Sequence, residues 1–323
     1  MSIVFSAKTL RRSAQVFFAA VCLDIGWRFA LFLEWTSGAR ADFTPRPAGV
    51  EAFLPVAALA GFKNLVLTGV YDPIHPAGLT VFLAAMACAF LFRKSFCAAV
   101  CPVGLASDLL GLAGKRLGLG YRAPKLASRC AGAVKYVLLA FFLMSIFVLM
   151  SPTQTRVFLT GRFNLTADAG LFTLFAEPTG RFLGILGILA AIGLAFRNAW
   201  CRWFCPYGAL LGLLGLAGPC VVQREDARCD GCRKCQRACP MDIAPGAAAR
   251  SPLCMGCGQC VEACPKPDTL TMRFFGRTIP APWPVLGGLA VFLGACGLAM
   301  MLGVWDNSLP PSMLRALYAV SAR

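Results

Sequence analysis

The chain has 323 residues, of which 58% are hydrophobic and 14% are charged, and its mean hydropathy is +0.68. So apolar a composition excludes an ordinary water-soluble domain of this length. The formal net charge of +16 does not point to nucleic acid as a partner, because basic residues that face the anionic head groups of membrane lipid account for it.

Five apolar stretches predict transmembrane helices, each of which needs about 20 residues. They are residues 14–34, 77–93, 133–151, 182–197 and 284–304. The fourth stretch is short, and it spans the bilayer only if Arg181 and Arg197 extend to the interfaces. Two further stretches, 49–70 and 165–176, are interrupted by proline or charged residues, so we expect them to be interfacial or re-entrant.

The basic residues predict the orientation of the chain. With a cytoplasmic N-terminus and five crossings, the inner segments are 1–13, 94–132 and 198–283, and they hold most of the 31 Lys and Arg residues. This is the positive-inside pattern of a multi-pass protein in the bacterial inner (cytoplasmic) membrane. Lys8 and Arg11 before the first apolar run would also suit a cleaved signal peptide, but the run is long for one, so we interpret it as a permanent anchor.

An internal repeat divides the predicted membrane region into two halves. Residues 92–104 and 196–208 share the pattern aromatic-Cys-x3-Cys-Pro-x-Gly, and each copy follows a pair of predicted spans. The halves, residues 10–110 and 125–215, are therefore expected to be parallel repeats whose motifs lie on the same side of the membrane.

The repeat predicts that Cys97, Cys101, Cys201 and Cys205 face each other at the inner surface. We expect the two cysteines of each pair, at positions i and i+4, to lie on one face of a helix. Each pair could form a reactive dithiol, or the four thiolates together could hold a third cluster, an iron ion or copper(I). Alternatively, the proline only ends the helix and the cysteines pack.

Two copies of the spacing C-x2-C-x2-C-x3-C-P follow the second half. The first comprises Cys229, Cys232, Cys235 and Cys239, and the second comprises Cys254, Cys257, Cys260 and Cys264. This spacing binds [4Fe–4S] clusters in bacterial ferredoxins, where the fourth cysteine of each run binds the other cluster. We therefore assign Cys229, Cys232, Cys235 and Cys264 to cluster one, and Cys254, Cys257, Cys260 and Cys239 to cluster two.

The alternatives for these eight cysteines are zinc sites and a disulfide framework, and two complete copies of the ferredoxin spacing disfavour both. Residues 222–278 are thus predicted to be a ferredoxin domain in the reducing cytoplasm, followed by a last membrane helix at 283–305. The expected fold is a polytopic α-helical membrane protein with about five transmembrane helices in two parallel repeats. The expected fold also contains an inserted cytoplasmic, bacterial-type two-cluster ferredoxin domain.

The sequence contains one histidine, His75, at the predicted outer mouth of the second span. It could hydrogen-bond a quinone carbonyl, with Asp72 as a proton relay, or it could simply cap a helix. One histidine does not suffice for bis-histidine haem ligation, and neither a C-x-x-C-H motif nor a glycine-rich dinucleotide fingerprint is present.

Membrane helices, two C-x3-C-P motifs and two ferredoxin motifs together resemble the NapH/NosR/CcoG group of membrane-bound ferredoxin-type proteins. The resemblance extends from about residue 10 to residue 280. It implies cytoplasmic clusters and, for NapH-like members, oxidation of quinol that supplies electrons to a reductase, whereas CcoG-like members act in copper handling for oxidase assembly. The helix after the ferredoxin segment and the short connection from Cys239 to Cys254 depart from the NapH pattern.

The sequence therefore favours an electron carrier between the quinone pool and a redox partner protein, in the manner of an electron-transfer subunit of a quinol dehydrogenase. A protein with this function is expected to bind quinone. One alternative is a metal reductase or assembly factor that uses the C-x3-C-P thiols on copper. Another is a membrane sensor that signals the redox state of its clusters.

Overall fold

The computed structural model describes residues 6–321 apart from residues 122 and 245. This part of the chain is mainly helical. Its α-helices in chain order are α1 (Ala7–Ser37), α2 (Pro55–Thr68), α3 (Pro76–Phe92), α4 (Ser95–Ala99), α5 (Pro102–Arg116), α6 (Lys125–Leu143), α7 (Pro152–Thr160), α8 (Arg162–Leu165), α9 (Ala167–Ala176), α10 (Gly180–Ala195), α11 (Pro206–Ala217), α12 (Lys234–Ala238), α13 (Gln259–Glu262), α14 (Trp283–Met301) and α15 (Pro311–Ser321). The strands are β1 (Cys220–Arg224), β2 (Leu270–Phe274) and β3 (Arg277–Ile279).

Several of these helices are able to span a membrane. Within the described residues, three are long and apolar enough, namely α1, α14 and the stretch Leu126–Leu149, in which α6 continues into a π-helical turn. The pair α9 and α10, bent by 79°, would be a fourth span or a re-entrant loop. Helix α3 is apolar but shorter. The presence of several spanning helices is confirmed, while the number of five spans stays a prediction.

The chain folds as two compact units. Unit 1 comprises residues 1–19, 85–139 and 187–293, and unit 2 comprises residues 20–84, 140–186 and 294–323. Each of the five points at which the chain passes from one unit to the other lies within one of the five predicted spans. All predicted inner segments consequently belong to unit 1, and all predicted outer segments belong to unit 2.

In unit 1, a small antiparallel sheet of order β1-β2-β3 brackets the eight ferredoxin cysteines. Strand β1 pairs with β2 in a register that sets Cys220 opposite Phe274 and Arg224 opposite Leu270. Because β1 precedes the first cysteine run and β2 follows the second, the pairing holds both ends of the segment together. The connection between Cys239 and Cys254 contains no strand among its described residues.

In unit 2, the core is aromatic. Phe29, Phe32 and Trp35 of α1 pack with Tyr318 of α15, and the rings of Phe32 and Tyr318 meet edge to face at 5.0 Å. Burial of such side chains contributes about 1.5–3 kcal/mol each relative to exposure. This packing joins α1, α9 and α15, which are far apart in the sequence, around the buried polar groups described below.

Candidate functional site

Four ferredoxin cysteines line one cavity of unit 1. They are Cys229, Cys232, Cys235 and Cys264. Three come from the first motif, and Cys264 comes from the end of the second. The wall of the cavity also includes Lys266 and Asp230, whose side chains form an ion pair at 3.7 Å. The structure thus brings together the four residues assigned to cluster one.

A second cavity is lined by the remaining four ferredoxin cysteines. They are Cys239, Cys254, Cys257 and Cys260, and Cys235 lies on the boundary with the first cavity. The four residues assigned to cluster two are therefore together as well. The two cavities divide the eight cysteines as expected if the fourth cysteine of each motif binds the cluster of the other motif. The occupation of the cavities by clusters stays a prediction.

The loop around the second cavity depends on Gly258. Its φ of +71° lies in the left-handed region, and a Cβ atom there would come within 2.1 Å of the carbonyl oxygen of Ala281. Glycine is the residue that meets both conditions. The turn begins α13, which carries Cys260.

The thiols around the second cavity are deeply buried. Burial is the main cause that raises the pKa of Cys239 to about 12, and it also raises the pKa of Cys257 and Cys260 above the ordinary value. Metal ions bind thiolates, so an iron–sulfur cluster that binds here must displace these protons. Cys232 of the first cavity is exposed by comparison.

A buried polar network connects the second cavity to the repeat. Asn198 donates from Nδ2 to Asp108 Oδ1 at 3.0 Å and to the carbonyl oxygen of Pro240, directly after Cys239, at 2.9 Å. Arg11 forms an ion pair with Asp108 and donates to the carbonyl oxygen of Ala98 at 3.1 Å. Sequence analysis did not identify this network, because its members show no common motif.

The C-x3-C-P cysteines occupy equivalent places in the two repeats. The two cysteines of each pair do not, however, share one continuous helix as predicted. Cys97 lies in α4, whereas Cys101 has an extended backbone and is the N-cap of α5. Cys201 lies in the π-helical turn Trp200–Phe204, and Cys205 is the N-cap of α11. The expectation that each pair lies on one face of a continuous helix is wrong. Proline at the first position of the next helix has no N–H to continue the preceding one, so the chain breaks between the cysteines.

Glycine completes the motif for a steric reason. A Cβ atom on Gly104 would lie 2.6 Å from the carbonyl oxygen of Cys97. The backbone therefore folds back onto the first cysteine of the motif. In the second copy, the N–H of Gly208 donates to Cys205 Sγ at 3.2 Å.

The C-x3-C-P cysteines of one repeat act electrostatically on those of the other. Burial, followed by the neighbouring Cys101, Cys205 and Cys201, raises the pKa of Cys97 well above the ordinary value. Burial, Cys205 and Cys101 likewise raise the pKa of Cys201 to about 12.

Within the described residues, no group of three or more His, Cys, Asp or Glu side chains is arranged to hold a single metal ion. A single zinc ion draws its thiolates to about 2.3 Å from one centre. In a [4Fe–4S] cluster each thiolate binds a different iron, so the sulfur atoms are spaced more widely.

The two thiol regions are adjacent. Cys97 and Cys201 pack against the same buried group as Cys239 of the second cavity, and that group includes Cys257. The rest of the group is apolar and consists of Ala98, Met241 and Met255. The C-x3-C-P site is therefore a direct neighbour of the cavity assigned to cluster two.

In unit 2, His75 is buried rather than open to a ligand. One ring nitrogen, Nε2, lies 2.8 Å from the carbonyl oxygen of Asn164, and the other, Nδ1, lies 3.6 Å from Glu51 Oε1. Burial alone would lower the pKa of His75, but the Glu51 carboxylate outweighs it and the pKa is raised. Asp72 accepts hydrogen bonds from the backbone N–H groups of Ile74 and His75, so it stabilises the turn that precedes α3.

Arg46 is the centre of the same buried region. Its guanidinium forms ion pairs with Glu51 at 2.6 Å and with Asp168 at 2.7 Å, and Tyr318 donates to Asp168 at 2.8 Å. Burial alone would lower the pKa of Arg46, but Asp168 and Glu51 raise it. Sequence analysis did not single out this network, since Arg46 and Tyr318 lie 272 positions apart.

Comparison with protein families gives two matches. The family described as "4Fe-4S binding domain" matches residues 74–120 and 178–219, which contain the two C-x3-C-P motifs. The family described as "4Fe-4S dicluster domain" matches residues 221–265, which contain the ferredoxin motifs. Together with the apolar helices, these matches define the chain as a multi-pass membrane protein with iron–sulfur domains.

The chain belongs to the NapH-like family of membrane ferredoxin-type electron transport proteins. It is 31% identical to YccM of Escherichia coli strain K12, over 97% of this chain and 90% of YccM. It is 28% identical to the ferredoxin-type protein NapH of the same strain, over 72% of this chain and 74% of NapH. It is 29% identical to NirI of Paracoccus denitrificans strain Pd 1222, over 59% of this chain and 28% of NirI. No solved structure matches the chain.

Proposed function

We propose that this protein carries electrons between the quinone pool and a redox partner protein through two [4Fe–4S] clusters in unit 1. The observation that carries the proposal is the division of eight cysteines between two adjacent cavities, with Cys239 and Cys264 exchanged. Each cluster, when bound, accepts and returns one electron. Cys235 lies between the cavities, and this short separation suits transfer from one cluster to the other.

The protein's own residues prepare the second cavity for a charged cluster. Arg11 is buried, and its charge opposes the effect of burial on the pKa of Cys257. Asn198 and Arg197 donate to the carbonyl oxygens of Pro240 and Cys239, which holds the end of the first motif against the membrane repeat. These contacts restrict the cysteines to one arrangement and reduce the reorganisation that an electron transfer requires.

The proposal that the quinone pool takes part rests on the likeness to NapH-like proteins rather than on a pocket at His75. Anaerobic protein in liposomes, mixed with a reduced quinone, is expected to show bleaching of its visible iron–sulfur absorption as the clusters take up electrons. A Cys257→Ala variant is the control for cluster two. Bleaching by dithionite but not by any quinol would contradict quinol as the donor and leave electron carriage in place.

Copper reduction is the second candidate, because Cys97 and Cys201, one from each C-x3-C-P motif, pack against the buried group that contains Cys257 of the second cavity. The same liposomes, once reduced, are given copper(II) and a copper(I)-specific chelator. One copper(I) formed for each electron withdrawn, and its loss in a Cys97→Ser variant, would favour this function. Reduced clusters that persist in the presence of copper(II) would exclude it.

The topology that we propose has the N-terminus and unit 1 in the cytoplasm and five spans. It is supported by the basic residues of the predicted inner segments and by the sorting of inner and outer segments into different units. A reporter active only in the periplasm is expected to work when fused after residue 40, 165 or 315, and to stay inactive after residue 115 or 243. Activity after residue 115 would mean that residues 49–70 cross the membrane, which would contradict the parallel repeat.

A further inference from the structure

The two ferredoxin motifs contain equivalent short helices, α12 in the first and α13 in the second, and each helix carries the third cysteine of its motif. The spacing of the motifs matches these helices residue by residue, in the pairs Arg233 and Gly258, Lys234 and Gln259, and Arg237 and Glu262. Both helices begin after a left-handed residue, with φ of +56° at Arg233 and +71° at Gly258. The faces of the two helices can therefore be compared directly.

In the second motif, the chain itself covers this face. Glu262 accepts hydrogen bonds from the backbone N–H of Ala7 at 2.5 Å and from the hydroxyl of Ser6 at 3.0 Å. The side-chain amide of Gln259 lies 3.3 Å from Nη1 of Arg11. A carboxylate at the N-terminus of a helix is favourable, because the helix dipole is positive there. This face of α13 is thus an interface with the beginning of α1.

In the first motif, the equivalent face is exposed and basic. Arg233, Lys234 and Arg237 are all exposed, and none of them forms an ion pair with a carboxylate of the described residues. Lys234 and Arg237 are three positions apart and share one side of α12. The nearby aspartates are paired with other cations, in the ion pairs Arg224–Asp226, Arg228–Asp268 and Lys266–Asp230. We call Arg233, Lys234 and Arg237 the basic face.

The basic face lies at the edge of the first cavity. Arg237 donates to the carbonyl oxygen of Cys232 at 3.4 Å, and Cys232 is exposed. A Cβ atom on the adjacent Gly231 would have no neighbour within 4 Å, whereas one on the equivalent Gly256 would lie 2.5 Å from the carbonyl oxygen of Phe92. The first motif is therefore open at the place where the second motif is covered by another part of the chain.

The backbone at Arg233 gives a second, independent observation. A left-handed conformation is unfavourable for a residue with a side chain, and glycine is the usual residue there, as at Gly258. The side chain of Arg233 lines the first cavity but forms no ion pair within the described part of the chain that would offset this strain. Strain of this kind is typical of functional positions, so it indicates a role in contact with another molecule.

We propose that the basic face docks a soluble one-electron redox protein with an acidic surface, and that the electron crosses at Cys232 of cluster one. This inference rests on the proposed electron-transfer function and names the surface and the charge of the partner. Opposite charges accelerate the encounter of two proteins and orient them. One electron leaves one cofactor and enters the other, and no proton or further reactant takes part. Anionic lipid would also attract the basic face, but it would not require an exposed cluster ligand at its centre.

The test uses the full chain in nanodiscs, with its clusters reduced by dithionite and the excess removed. Two soluble electron acceptors of opposite surface charge are mixed with it, the acidic copper protein plastocyanin and the basic haem protein cytochrome c. Stopped-flow absorbance measures the rate at which each acceptor takes its electron. Lys234→Glu combined with Arg237→Glu is expected to slow the reduction of plastocyanin by about tenfold or more at low ionic strength and to accelerate that of cytochrome c. High salt should remove most of the difference, because it screens the charges.

Two variants and a change of lipid are the controls. Lys115→Glu combined with Arg277→Glu makes the same change of charge at exposed positions of unit 1 outside the basic face, and it should leave both rates close to those of the parent. Arg233→Gly removes one charge and relieves the strained backbone, so it should slow the reduction of plastocyanin without loss of a cluster. Nanodiscs of neutral phosphatidylcholine and of anionic phosphatidylglycerol should give the same result.

Three results would overturn the docking surface and leave the proposed function standing. The first is equal slowing with both acceptors, which would indicate structural damage. The second is an effect of the variant confined to anionic nanodiscs, which would assign the basic face to lipid. The third is a shift in the reduction potential of cluster one, measured by electron paramagnetic resonance, that accounts for the whole change in rate. Reduced clusters that pass electrons to neither acceptor would overturn the proposed function and this inference with it.

Discussion

Replacement of Cys232 by alanine is expected to remove one [4Fe–4S] cluster, about four irons per chain, and to leave the other cluster intact. Cys264→Ala should degrade the same cluster, although it belongs to the other motif, because both residues line the same cavity. Cys257→Ala and Cys239→Ala should together identify the second cluster. Iron and sulfide analysis and electron paramagnetic resonance of anaerobically purified variants measure the loss.

The matched control is Cys130→Ala, which replaces an exposed cysteine of the same unit outside every motif and should change no signal. Two results would contradict the assignment. One is zinc in place of iron. The other is loss of the same cluster from Cys232→Ala and Cys239→Ala, which would mean that each motif supplies all four ligands of its own cluster.

Replacement of Arg46 by methionine is expected to destabilise unit 2 by about 3–5 kcal/mol, because Glu51 and Asp168 would lose their buried cation. The effect should appear as a lower midpoint of thermal unfolding in detergent, measured by the accessibility of buried cysteine to a thiol probe. Arg156→Met removes an exposed arginine from the same unit and should change the midpoint little.

A triple variant shows whether charge is the cause. When Glu51→Gln and Asp168→Asn are added to Arg46→Met, the uncompensated carboxylates are gone and part of the stability should return. If the triple variant is less stable than Arg46→Met alone, the network stabilises unit 2 through its hydrogen bonds rather than through its charges. His75 shares this region, so its raised pKa should fall when Glu51 is replaced, because the lowering effect of burial is then no longer outweighed.

Features that depend on spacing and composition could be predicted from the sequence. An apolar run of about 20 residues is stable in few environments other than a bilayer, which is why α1, α6 and α14 overlap predicted spans. The ferredoxin spacing also carries geometric information. In bacterial ferredoxins with this spacing the fourth cysteine of each run binds the other cluster, and the two cavities divide the eight cysteines in the same way.

Breaks between helices, in contrast, could not be predicted from spacing and composition. The break between Cys97 and Cys101 was missed because the i, i+4 spacing suits a helix, whereas the following proline begins a new one. The bend between α9 and α10 likewise cannot be recognised from the hydropathy of the sequence. Such breaks are decided by single residues, and an analysis of periodicity averages over them.

The sequence by itself determined that this protein crosses a membrane and carries ferredoxin-type cysteine motifs, because hydrophobic length and ligand spacing are local properties of the chain. Only the tertiary structure decided which buried charges meet which sites. Arg11 pairs with Asp108 across 97 positions, and Arg46 pairs with Asp168 across 122 positions. A buried charge is tolerated only beside its partner, and that partner is chosen by packing in three dimensions, which no local pattern records.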